Sequence, residues 1–181
     1  MARRAAAGDR TAQREVFRRL KSPLHATLYR ILGSNAQLED LLQDAYIEIF
    51  RSLGSYKGEA QLSTWSNRIA VRVAFRYLRR ARAAKLESVP PHLAVVGSSE
   101  DHMIHREGVR RMYAVMDRMK PEQRIAFALF TLDGRSLKEI ADLTGVSLIA
   151  TKSRLWRARQ QLMSAARADG ILAQYLATEE S

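Results

Sequence analysis

Cysteine is absent from this 181-residue chain, which excludes disulfides, thiol redox sensing within the chain and Cys-ligated zinc. No window approaches the run of roughly twenty apolar residues that a membrane span needs. The opening MARRAAAGDR lacks the apolar centre of a secretory signal. A cytoplasmic protein with no direct membrane insertion is therefore expected. A Gly-rich phosphate loop and a nucleophile elbow are missing as well, so the chain reads as no enzyme and no cofactor is called for. Acidic residues are in short supply: 30 Lys and Arg face 19 Asp and Glu, a formal net charge of +11. Such a surplus favours a polyanionic partner over an acidic small substrate, nucleic acid first and an anionic membrane surface second. With 46% hydrophobic residues, the length suits one medium domain or two small ones.

The residues that are present read as helical throughout. Apolar residues recur three and four apart in nearly every window, with no period-two alternation. The exception is LESVPPHLAVVGSSED, where Pro90-Pro91 forbids a continuing helix, Gly97-Ser98-Ser99 is turn chemistry and Asp101 can cap the next helix. The expected organisation is all-α, with helical domains at 1–85 and 101–166 joined by a flexible linker at 86–100. A tail at 167–181 carries a small apolar patch, Ile171, Leu172, Tyr175 and Leu176. It is either a docking helix or a frayed end, and fraying is the default expectation.

In SLKEIADLTGVS, Ser136 and Glu139 form an S-x-x-E capping box that starts a short helix carrying Leu137, Ile140 and Ala141 inward. Gly145 permits a tight turn, and Ser147 can cap a second helix with Leu148, Thr151, Leu155, Ala158 and Leu162 on one face. The opposite face presents Ser153, Trp156, Arg157 and Gln160, flanked by Lys152 and Arg159. These are the parts of a helix-turn-helix, whose second helix enters the major groove. Two ordinary surface helices would give much the same pattern, but a large aromatic on a polar face normally seeks burial or a partner.

The first half holds three further features. In QLEDLLQDAYIEIF, Leu38, Leu41, Leu42, Ala45 and Ile49 make a core stripe, while Asp40, Gln43, Asp44 and Glu48 lie together outside. For an arbitrary helix this is a solvated face; a carboxylate metal site is weaker, since no His or further acid accompanies it. GSYKGEAQLSTW reads as a loop in which Tyr56, Lys57 and Gln61 offer a stacking ring and hydrogen-bonding groups. Trp65 is expected to pack the core. From Ser66 the stretch SNRIAVRVAFRYLRRARAAK has no acidic residue, and Arg68, Arg72, Arg76 and Arg79 build one cationic stripe opposite Ala70, Ala74, Tyr77 and Leu78. Unpaired arginines at that spacing repel slightly, so the stripe implies an anion such as phosphate.

The run MDRMKPEQRIAFALFTLDGRSLKEIADLTGVSLIATKSRLWRARQQL resembles domain four of the extracytoplasmic-function (ECF, group 4) sigma factors of the sigma-70 family. Met116, Met119, Pro121, Arg124, Ile140, Ala141, Gly145, Val146, Ser147, Lys152, Ser153, Arg154, Leu155, Arg157, Ala158 and Arg159 match in role. Thr151 departs from a buried Val, and Ile149-Ala150 from the frequent Gly-Thr. Independently, LEDLLQD and its surroundings resemble sigma domain two, and both matches together cover roughly residues 8–165.

The resemblance implies an alternative sigma factor, with core RNA polymerase and promoter DNA as partners. It implies that Asp40, Gln43, Asp44 and Glu48 dock on the polymerase, and that the loop with Tyr56, Lys57 and Gln61 captures a flipped base of the minus-10 element. Arg68, Arg72, Arg76 and Arg79 would contact the same DNA, although the family often has Asn and Asp near Arg72 and Arg76. Lys152, Ser153, Trp156, Arg157 and Gln160 would read the minus-35 element. The resemblance also implies an anti-sigma factor, often membrane-bound, that would hold an otherwise nucleoid-associated protein at the membrane. Two other readings stand beside it. A stand-alone helix-turn-helix regulator predicts a palindromic operator bound without polymerase. A metal-dependent hydrolase would draw on His92, His102 and His105, which lack matched carboxylate or Cys ligands.

Overall fold

The computed structural model describes residues 1–85 and 100–179; of the expected linker at 86–100, residues 86–99 lie outside the described residues. All regular structure among the described residues is helical. The order is α1 (Ala2–Ala6), α2 (Arg10–Leu32), α3 (Leu38–Ser52) with a 3-10 turn at Leu53–Ser55, α4 (Leu62–Lys85), α5 (Glu100–Met116), α6 (Pro121–Phe127) running into a π turn at Ala128–Leu132, α7 (Leu137–Thr144), α8 (Leu148–Ala166) and α9 (Gly170–Glu179). The fifth helix begins at Glu100, so Asp101 lies inside it rather than capping it.

Local chemistry explains the ends. Asp9 caps α2 by accepting a hydrogen bond from the Ala12 N–H at 3.0 Å, and Gly33 stops it in the left-handed region at φ 74°. The amphipathic stripe of α3 is buried as its spacing dictates: Leu38, Leu41, Leu42, Ala45 and Ile49 all face inward. They meet α2 and α4, which supply Leu20, Leu24, Leu28, Ile31, Ile69, Val73, Ala74 and Leu78. Trp65 is half-buried against the same core.

The two halves are packed on each other, which no local pattern in the sequence anticipates. The C-terminal end of α2 meets the π turn, and α4 meets α6 and α7. Arg124, 5% exposed, is the pin. Its Nε donates to the Ile31 carbonyl at 2.8 Å and its Nη2 to the Leu32 carbonyl at 2.7 Å, while Nη1 pairs with Asp117. These carbonyls belong to the last turn of α2, where the helix has no donor of its own to satisfy them and where a cation also meets the negative end of the helix dipole. Beside them Arg30 pairs with Asp133, the Tyr113 hydroxyl donates to the Arg30 carbonyl at 3.0 Å, and Arg82 donates to the carbonyls of Arg118 and Met119. The Tyr113 ring fills the space over Gly33, where an added Cβ would stand 2.2 Å from it.

The tail corrects the expectation of a frayed end. Helix α9 docks on α5, burying Leu172 and Tyr175 at 1% and 6% exposure. Asp169 accepts from the Leu172 N–H at 3.1 Å and pairs with Arg111 at 2.6 Å. Tyr175 lies so close over Gly108 that a Cβ there would stand 2.4 Å away. Truncating a buried aromatic costs about 3 kcal/mol, so Tyr175→Ala is expected to lower stability by that amount in urea or thermal unfolding. A frayed tail would keep the change within about 0.5 kcal/mol.

Candidate nucleic-acid interface

The helix-turn-helix forms as its capping residues require. The Glu139 N–H donates to Ser136 Oγ at 3.2 Å, and Glu139 Oε2 accepts from the Ser136 N–H at 2.9 Å and from its hydroxyl at 2.7 Å. These hydrogen bonds, the hydroxyl's first, hold the Glu139 carboxyl below its ordinary pKa. The chain then turns at Gly145, φ 69°, a conformation an L side chain would strain, and Ser147 caps α8 by accepting from the Ala150 N–H at 3.2 Å. Ile140 and Leu143 are the fully buried contacts of α7, Leu143 in addition to the inward set that the capping pattern suggests, while Leu137 and Ala141 are half-buried.

On α8 the stripe Thr151, Leu155, Ala158 and Leu162 is buried, whereas Leu148 is 44% exposed. The Thr151 hydroxyl donates to the Ser147 carbonyl at 3.1 Å, so the departure from Val is absorbed by backbone. Lys152, Trp156, Arg157 and Gln160 are exposed together and Ser153 is half-exposed. Arg159 leaves this face to lie over the Phe130 ring, 5.0 Å from its centroid. Trp156 is 62% exposed and Ile149 80%. With Leu148 and Met163, they make α8 the helix that holds four of the eight large hydrophobics exposed among the described residues. An apolar surface threaded with cationic and amide groups suits a major groove, where thymine methyls sit beside base acceptors.

In the first half the acidic face is divided. Asp40, Gln43 and Asp44 are exposed on α3, with Ile47 (40% exposed) continuing the same face one turn on. Phe17, 43% exposed, packs at a tilt on Tyr46 beside it, ring centroids 4.5 Å apart, and burial pushes the Tyr46 hydroxyl up to about 12. Glu48 does not stand free: it pairs with Arg76 of α4.

The cationic stripe is likewise less uniform than its spacing implies. Arg72, Arg76 and Arg79 are exposed, but Arg68 is half-buried, with its Nε enclosed and without a hydrogen-bond partner. Arg76 is ion-paired, so the expectation of four unpaired arginines is corrected. In the loop before α4, Lys57 and Gln61 are exposed. The Tyr56 ring is not free to stack: it packs on Trp65 at 5.2 Å, and its hydroxyl donates to the Ala60 carbonyl at 2.5 Å.

His92 lies outside the described residues, as does the side chain of His102; the His105 ring sits edge-on to Tyr175 at 5.2 Å. Among the described residues no three His, Cys, Asp or Glu side chains are grouped to hold a metal. No helix among them is long and apolar enough to cross a membrane.

Residues 16–84 match the sequence family described as Sigma-70 region 2, and residues 110–162 match Sigma-70, region 4. The ECF RNA polymerase sigma factor SigM of Mycobacterium tuberculosis is 33% identical, over 86% of this chain and 78% of that protein. The chain belongs to the extracytoplasmic-function sigma factors. The ECF RNA polymerase sigma-E factor of Haemophilus influenzae is 29% identical over 86% of this chain and 87% of its own length; that of Escherichia coli is 26% identical over 86% of each. Among solved structures, CnrH in complex with the cytosolic domain of CnrY superposes with a TM-score of 0.63 at 23% identity, covering 93% of this chain and 96% of CnrH. The sigma factor RpoE of Bartonella quintana, in complex with the anti-sigma factor NepR, superposes with a TM-score of 0.59 at 22% identity, over 86% and 97% of the two chains. This sigma factor therefore directs promoter-specific transcription initiation and is not itself an enzyme.

Proposed function

We propose that this sigma factor divides its work between three surfaces. Asp40, Gln43 and Asp44, with Ile47 added, dock on core RNA polymerase. The α4 arginines and the Lys57–Gln61 loop engage the minus-10 element, and the exposed face of α8 reads the minus-35 element. In this reading residues 1–85 form domain two, 86–100 the linker, 101–166 domain four, and 167–181 a tail that buttresses domain four through α9. The observation that carries it is the face of α8: Lys152, Trp156, Arg157 and Gln160 are exposed side by side on a helix whose opposite stripe is buried.

Reading both elements requires the two halves to part. Elements about 25 base pairs apart are separated by about 85 Å at roughly 3.4 Å per pair, while a compact chain of this length is about 40 Å across. Fourteen residues, 86–99, lie between α4 and α5, a reach of up to about 50 Å when extended. The packed arrangement pinned by Arg124 is thus the off-promoter form. Solved neighbours bound to the cytosolic domain of CnrY and to the anti-sigma factor NepR support an anti-sigma partner that favours this form. Such a partner would keep a cytoplasmic, nucleoid-associated factor at the membrane.

Arg157→Ala tests the α8 reading. A bidentate contact from Arg157 to a base contributes about 1–3 kcal/mol of discrimination. Holoenzyme carrying the variant should lose that much between matched and mismatched minus-35 DNA, with core affinity unchanged. Unaltered discrimination removes Arg157 from the reading set.

A further inference from the structure

The pair between Glu48 and Arg76 joins the helix proposed to dock on polymerase to the helix proposed to meet DNA, and it separates Arg76 from its neighbours in the stripe. Arg76 Nη2 donates to Glu48 Oε1, across 28 residues of sequence. The two side chains are 49% and 36% exposed, so the pair lies at the surface, where DNA can reach it. Arg72, one turn earlier on α4, is exposed and has no ion-pair or hydrogen-bond partner among the described residues. Asp40 and Asp44, on the outward face of α3, are exposed without such a tether to α4.

A free guanidinium and a paired one do different things beside a nucleic acid. A free one neutralises a phosphate and releases the counterion held there, so it weakens with salt and carries no sequence information. A guanidinium already matched by a carboxylate forms a pair of no net charge, and the carboxylate repels an approaching phosphate. What remains is direction. Nη2 is held by Glu48, and a planar fork with five N–H groups then keeps its other donors aimed outward in a fixed plane, the arrangement that meets base acceptors. A half-exposed pair adds little to stability, so folding alone gives no strong reason for a carboxylate there.

We infer that Glu48 is a positioning residue that holds Arg76 as a base-reading group for the minus-10 element, leaving the phosphate contact to Arg72. This rests on the sigma reading of α4 and takes Glu48 out of the polymerase-docking set.

The test uses holoenzyme assembled from the full chain and core RNA polymerase, with promoter fragments matched or mismatched at the minus-10 element, over a salt series. Arg72→Ala should weaken both DNAs equally and lower the slope of log affinity against log salt by about 0.7 to 0.9. Arg76→Ala combined with Glu48→Gln, which removes the neutral pair without leaving a carboxylate behind, should leave the slope unchanged and cut the matched-to-mismatched ratio by about 5- to 150-fold. Glu48→Gln, which removes the neutralising charge and weakens the hold on the guanidinium, should steepen the slope by up to about one contact and lower the ratio at least about fivefold. A merely structural role would move neither slope nor ratio. Three results overturn the inference: a slope loss in the Arg76→Ala, Glu48→Gln variant equal to that of Arg72→Ala, a Glu48→Gln gain on both DNAs with the ratio kept, or a loss of core affinity in Glu48→Gln, which would return Glu48 to the docking face. Failure of the unaltered chain to assemble with core polymerase is a separate result; it sinks the sigma reading, and this inference falls with it.

Discussion

Asp40→Ala combined with Asp44→Ala is expected to cost about 3 kcal/mol or more in affinity for core RNA polymerase, roughly a hundredfold or more in Kd. Each carboxylate would lose charge-assisted hydrogen bonds to basic partner groups, and the partner groups would be left desolvated without acceptors. The free protein should barely notice. Both side chains are exposed, one helical turn apart, and neither enters the core stripe of α3. Asp40 lies in the first turn of that helix, where its interaction with the helix dipole contributes only about 0.5 kcal/mol. The thermal midpoint and helical spectrum should therefore hold while binding, followed by fluorescence anisotropy with labelled core, falls. Equal affinity for core would remove the outward face of α3 from the docking account.

The other large effect is expected at Arg124. Replacing it with Met keeps the bulk but removes the charge, leaving the Ile31 and Leu32 carbonyls without this donor and taking the Arg124 contact from Asp117. Asp117 is 39% exposed and can turn to water, so the cost falls on the two carbonyls, at about 1 to 3 kcal/mol each; a total of about 3 kcal/mol lowers Tm by roughly 10 °C in a chain of this size. The shape of the transition is the sharper readout. Arg124 bridges the end of α2 to α6, so without it the two halves should melt separately, and calorimetry should resolve two transitions in place of one. A single transition at an unchanged midpoint would show that the halves are held by other contacts, among them Arg30 with Asp133 and Tyr113 over Gly33.

Arg124 also marks where the sequence stops being legible. Its place in a P-x-x-R pattern is readable, but its acceptors lie 92 and 93 residues away, and no local periodicity points to them. The helix-turn-helix is the opposite case. The Ser136–Glu139 box, the Gly145 turn and the Ser147 cap all act within three or four residues, so spacing alone states the structure. Helical stripes are readable for the same reason, including the buried set of α3 and most of that of α8. Legibility fails where an aromatic or a charge finds a distant partner: Tyr175 over Gly108 turns a nominally frayed tail into a docked helix. Tyr56, whose sequence context suggests a stacking ring, spends its face on Trp65. The arginine stripe reads as uniform because periodicity counts charges along one helix; Glu48, on the helix alongside, is invisible to it. Two-domain composition is visible in the Pro-Pro and Gly-Ser-Ser stretch, but contact between the halves depends on surfaces that only folding brings together.

The most direct test of the account is run-off transcription by core RNA polymerase, with and without this chain, on a library of genomic fragments. The account predicts discrete transcripts only when the chain is present. Their start sites should share two upstream elements at a fixed separation, and the Asp40→Ala, Asp44→Ala variant should abolish them. Fragments bound equally well without polymerase at a single palindromic site, with no chain-dependent transcript, would contradict it.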